Sequence, residues 1–176
     1  MHYRIVENGK ILSLEGNHKE ALRHYKEGIR MCTQENAPEI FFQHYTQCVM
    51  ESLELSGAYD EVIGYCEKTR ELLKDKLEVS DFIKKNYAVT LEREAIQYLH
   101  KGEKQLAVEL FKEVQSVVGK GAQPLTDELL NWTLRGYAVS KKQIENVQRK
   151  RKYFTVRKDN INREIAMELP KSVLPI

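Results

Sequence analysis

The chain has 176 residues, 41% hydrophobic and 31% charged, enough for one domain with a real core under a well-wetted surface. Its net charge of +2 is uneven, because residues 141–176 hold ten Lys or Arg against four Asp or Glu and so leave residues 1–140 net acidic. No apolar run of about eighteen residues offers a membrane span, MHYRIVENGK lacks the apolar centre of a secretory signal, and three cysteines without close pairs (Cys32, Cys48, Cys66) exclude a disulfide framework and point to the cytoplasm.

Only four prolines interrupt the chain, and the long stretches between them favour helices. Ile5, Val6, Leu12 and Leu14 predict a first helix that ends at Gly16, and Ala21, Leu22, Tyr25 and Ile29 predict a second that starts after it. Pro38 marks the start of the next, with Ile40, Phe41, Tyr45, Val49 and Leu53 on one face. Gly57 ends that helix, and Val62, Ile63, Cys66, Leu72 and Leu73 carry its successor. Ser80 caps a long helix through Phe82, Tyr87, Leu91, Ala95 and Tyr98. Gly102 ends it, and Leu106, Leu110, Phe111, Val114 and Val117 follow. After a loop at 119–124, LTDELLNWTLRGYAVS predicts a buried helix over 125–140, capped by Thr126 or Asp127. Ile144, Val147, Phe154, Ile161 and Ile165 then predict one or two amphipathic helices over 141–168, followed by an apolar tail, LPKSVLPI.

One phrase recurs. EGNHKEALRHYKEG, SGAYDEVIGYCEKT and KGEKQLAVELFKEV each place a side chain five residues after a glycine and another four further on. These are Ala21 and Tyr25, Val62 and Cys66, and Ala107 and Phe111, behind glycines spaced 41 and 45 residues apart. Glycine accepts the positive φ that ends a helix. A small residue then lets the next helix approach, and a larger one on the same face fills the gap. A repeat of this length describes stacked helical hairpins.

The pattern resembles the tetratricopeptide repeat, over roughly residues 3–118. The family also places a small residue seven positions before the glycine; here these are Gly9, Met50 and Ala95, so the second repeat departs from it. The resemblance implies an all-α solenoid of antiparallel hairpins in a right-handed superhelix. It divides the chain into three hairpins over 1–118, a loop with a buried helix over 119–140 (a cap or degenerate fourth repeat), and a C-terminal helical extension with its tail over 141–176.

In that family the first helix of each hairpin lines a concave face that binds partner segments. Carried over, the face consists of Tyr3, Val6, Lys10 and Ser13, then His44, Gln47, Glu51 and Glu54, then Val89, Glu92, Ile96 and Leu99. The family's clamp for C-terminal carboxylates is not reproduced, because the matching positions offer only Lys10 and Arg93 as cations. Glu51, Glu54 and Glu92 instead predict an acidic middle beside an apolar end, suited to a basic or amphipathic protein segment, unless these glutamates form a solvated face.

Catalytic and metal readings find little. The five histidines are scattered, and His44 with Cys48 supplies only two candidate ligands. No phosphate loop or nucleophile signature is present, so neither enzyme activity nor a cofactor is expected. The basic run Arg149, Lys150, Arg151, Lys152, Arg157 and Lys158, with Tyr153 and Phe154 inside it, gives an alternative reading as a nucleic-acid surface. The leading expectation is a non-catalytic adaptor or assembly subunit, with a homodimer through the C-terminal helix as a further reading.

Overall fold

A computed structural model describes residues 1–169; the tail from Pro170, on which most of the expected apolar extension falls, lies outside the described residues. The described chain is all-helical. Its helices are α1 His2–Leu14, α2 His18–Gln34, α3 Glu39–Leu55, α4 Tyr59–Leu73, α5 Asp81–His100, α6 Lys104–Val118, α7 Pro124–Leu134 and α8 Lys141–Lys150. No helix among the described residues is long and apolar enough to cross a membrane. The chain forms two compact units. One comprises Met1–Gly57 with residues 154–169 of the described chain; the other comprises Ala58–Tyr153.

The helix ends follow one rule. Gly16, Gly57, Gly102 and Gly136 all have φ between +76 and +85°, and a methyl at any of them would meet no atom within 4 Å. Their role is therefore conformational. Gly16 N–H donates to Ser13 O at 3.0 Å and Asn17 N–H to Leu12 O at 2.9 Å; Gly102 and Gly136 close in the same way. These bonds satisfy carbonyls that the ending helix leaves without partners. Asn17 and Ser80 accept from Glu20 and Ile83 N–H as N-caps, and Pro38 stands just before α3.

In the first unit α2 packs against both α1 and α3. Gly9 lets α1 and α2 approach, since a β-carbon there would lie 2.7 Å from Tyr25 Cε1. In the second unit α4 packs on α5, α5 on α6 and α6 on α7. Its main core joins Ala95, Phe111, Leu129 and Ile144, and a smaller cluster holds Tyr87, Leu91 and Val114. Arg70 of α4 grips Glu94 of α5 through two bonds of 2.6 and 2.9 Å.

The repeated positions are interior ones. Ala21, Val62, Ala107, Tyr25, Cys66 and Phe111 are fully buried. They are the fourth and eighth residues of α2, α4 and α6. The fourth and eighth residues of α8 are Ile144 and Gln148, which are equally buried. This recurrence was not legible from the glycine, because three extra residues separate Gly136 from the start of α8.

Two expected elements are shorter. The helix over 125–140 ends at Leu134, because Gly136 takes the same left-handed cap as the other glycines. Leu134 and Tyr137 are consequently 58% and 54% exposed rather than buried. Thr126 and Asp127 do not cap α7; they bond Glu92 and Gln115 instead. The helix over 141–168 ends at Lys150, where Lys152 adopts φ +54° and Tyr153 N–H closes onto Gln148 O at 2.9 Å. Beyond it the chain is non-helical, with a bend at Thr155, a short 3-10 turn at Lys158–Asn160 and a further turn at 163–165.

Two outcomes follow from this fold. Gly102→Ala should cost about 1–2 kcal/mol in denaturant unfolding, and Gly102→Asn less, because only the left-handed φ is at stake. His100 stacks on Tyr59 with centroids 4.8 Å apart. Burial, helped by Lys141, depresses its pKa from 6.5 to about 4. The unfolded chain therefore binds a proton that the folded chain does not, and stability falls as pH drops from 6.5 toward 4. His100→Gln should flatten that slope in pH-dependent unfolding curves.

Candidate functional site

The first unit holds a non-helical polypeptide against its helices, and that polypeptide is its own segment 154–169. Phe154 and Val156 are buried while Thr155 between them, where the chain bends, is half-exposed. Glu51 of α3, 1% exposed, spans the two intervening amides. Thr155 N–H donates to its Oε1 at 2.5 Å and Val156 N–H to its Oε2 at 3.1 Å. A helix here would have consumed both amides internally. The buried carboxyl group needs donors, and the bend at Thr155 turns two consecutive amides toward it.

The capture continues along the segment. Asn162 N–H donates to Glu7 Oε1 of α1 at 2.7 Å, and the other Glu7 oxygen accepts from Lys10 at 3.2 Å. Arg4 is used twice: its Nε donates to Ile165 O, and its carbonyl accepts Met167 N–H, both at 3.0 Å. Leu169 N–H donates to Nε2 of His24 on α2 at 3.2 Å. His24 Nδ1 then serves as donor to Glu20 O at 2.7 Å, which fixes Nε2 as the acceptor. Between these anchors the segment holds itself, with Asn160 Nδ2 donating to Thr155 O at 2.7 Å. Five main-chain amides of the segment are thus bound by helical groups, and only Phe154 and Val156 commit buried side chains.

The predicted concave-face residues divide into two sets. Tyr3 and Val89 are exposed, and Lys10, His44 and Gln47 are half-buried. Val6, Ser13, Glu51, Glu54, Glu92, Ile96 and Leu99 are buried, so they form no open acidic groove or solvated face. Ile96 and Leu99 belong to the second unit's core. Glu92 accepts from Thr126 at 2.5 Å and Gln123 at 3.0 Å, which binds α7 to α5; burial raises its pKa against those bonds. Glu7, Arg4 and His24 were missed. Glu7 interrupts an apolar stretch of α1, which is a faint signal, and the other two carry none.

Cys48 and His44 sit with Sγ and Nε2 4.0 Å apart, but burial, reinforced by Glu51, pushes the thiol up to about 12, and burial with Lys10 lowers the imidazole. No group of three metal-ligating side chains occurs among the described residues. The basic run is dispersed. Arg151 pairs with Glu128 at 3.2 Å and Arg157 with Asp159 at 3.0 Å. Arg149, Lys150, Lys152 and Lys158 are exposed. The Arg93 guanidinium lies 5.2 Å over the Tyr153 ring and Phe154 is buried, so neither aromatic is presented for stacking on bases.

Comparison with protein-family models, with curated proteins and with solved structures returns no match for this chain.

Glu51→Gln should loosen the segment, since a neutral amide offers one acceptor in place of two. Amide exchange at Thr155 and Val156 should quicken about tenfold to a hundredfold, the scale of a lost charge-assisted bond. Amides in α2 should keep their protection.

Proposed function

We propose that the chain is a non-catalytic protein-interaction module of the tetratricopeptide type, and that helices α1–α3 of its first unit bind a non-helical partner segment through the partner's main chain. The observation that carries this reading is the bidentate hold of Glu51 on consecutive amides of residues 155 and 156. A buried carboxylate that takes two main-chain amides reads backbone rather than side chains, and the buried Phe154 and Val156 accompany that anchor. The repeat assignment is supported by the buried fourth and eighth positions of α2, α4, α6 and α8. It is also supported by the 34-residue step from Gly102 to Gly136, which equals the usual period of that repeat. Three buried, unbridged thiols suit a reducing compartment such as the cytoplasm.

The matching partner is a non-helical segment able to bend at one half-exposed residue between two apolar ones, followed by basic or polar chain. A labelled peptide of residues 152–169 is the probe, because its fit is known. It should bind the full chain carrying Phe154→Ala and Val156→Ala at least tenfold more tightly than the unchanged chain, whose own segment competes. Adding Glu51→Gln should reverse the gain. Equal binding to all three proteins, or to none, would overturn the reading.

A further inference from the structure

Among the groups that hold the captured segment, one can change from acceptor to donor. Nε2 of His24 accepts Leu169 N–H at 3.2 Å. It does so only while the imidazole is neutral, because Nδ1 carries the ring's single proton into the 2.7 Å bond with Glu20 O. The other acceptors along the segment are the carboxylates of Glu51 and Glu7 and the Arg4 carbonyl. Of these chemistries only an imidazole ordinarily changes charge between about pH 5 and 8.

A second donor meets the same atom, since Asn8 Nδ2 lies 3.2 Å from Nε2. A proton on Nε2 would therefore face two N–H groups. Asn8 can answer by turning its amide over, which presents Oδ1 to the new Nε2–H and keeps α1 joined to α2. The Leu169 amide has no such alternative, so the penalty falls on the segment and not on the helices. The cleft beside His24 is lined by Asn8 and Leu12 of α1, Glu20 and Arg23 of α2, and Glu168 and Leu169 of the segment; among the described residues α3 lines none of it. Arg23 donates to both oxygens of Glu20, at 3.0 and 2.8 Å. Glu7, beside Asn8, is engaged by Lys10 and the Asn162 amide, and Glu168 is exposed.

We propose that protonation of His24 is a switch that frees the segment at Leu169 while Glu51 keeps its beginning at residues 155 and 156. Its consequence rests on the groove reading above: acidification uncovers the far end of the site first, and a partner segment then competes more easily with the chain's own.

The test is amide exchange of the full chain between about pH 8 and pH 5, each rate divided by that of the unstructured peptide at the same pH, with the imidazole nitrogen signals of His24 followed beside it. Leu169 should lose about tenfold of its protection on acidification, the scale of one buried hydrogen bond, in step with the change at Nε2. Thr155 and Val156 should keep theirs. His24→Gln should hold Leu169 at every pH. A glutamine can donate to Glu20 O, as Gln97 does to Arg93 O at 3.0 Å, and accept with its oxygen without titrating. His24→Ala should leave Leu169 unprotected throughout, with helical circular dichroism as the check that both variants fold. Protection at Leu169 that stays level or rises on acidification, as an imidazolium paired with Glu168 would give, overturns the switch. So does an equal loss in His24→Gln, or an equal loss at Thr155. The peptide titration decides the groove reading separately, because it needs no change of pH.

Discussion

A carboxyl group buried on a helix must be given donors, and this chain is organised around that requirement. Glu7, Glu51, Glu92 and Glu94 are all withdrawn from water, and each recruits a group from elsewhere in its own unit. Glu94 takes Arg70, which ties α4 to α5. Glu92 takes Thr126 and Gln123, which seats α7. Glu51 and Glu7 take main-chain amides of the C-terminal segment. Apolar packing supplies most of the stabilising energy, as it does in any helical array. It is non-directional, and it does not say which segment lies where. A carboxyl group left without its donors inside the protein costs several kcal/mol, which is enough to select one arrangement over its neighbours.

The same requirement explains what was legible in the sequence. Helix existence and the turns at Gly16, Gly57 and Gly102 were readable because local rules set them: a 3.6-residue apolar period and a residue able to take positive φ. The turn into α8 was half-readable. Its Gly136 and its cap, Ser140 with Gln143 three residues on, are both plain in the chain, but the longer turn displaced the repeated phrase. Glu51 was expected on an open face, and it lies buried, holding two amides of its own chain.

The segment after Lys150 was the largest departure. Ile144, Val147, Phe154, Ile161 and Ile165 fit a helical stripe, and spacing alone favoured continuation. What defeats it is tertiary. Phe154 and Val156 both find buried sites two residues apart, and Glu51 rewards an unbonded amide between them. No window of sequence reveals that a carboxyl group more than a hundred residues earlier awaits those amides. Local preference decides where tertiary demand is weak, and here the demand was strong.

Because the first unit is completed by residues that follow the second, its assembly is tied to the timing of synthesis. Helices α1–α3 leave the ribosome with Glu51 and Glu7 lacking their amide donors, and with the sites for Phe154 and Val156 empty. Nearly a hundred residues must be added before residue 154 arrives, a wait of roughly 5–20 s at ordinary elongation rates. During that interval the Glu51 and Glu7 carboxyl groups must find other donors, water among them. Release of the last residues from the ribosome is then the step that completes the first unit.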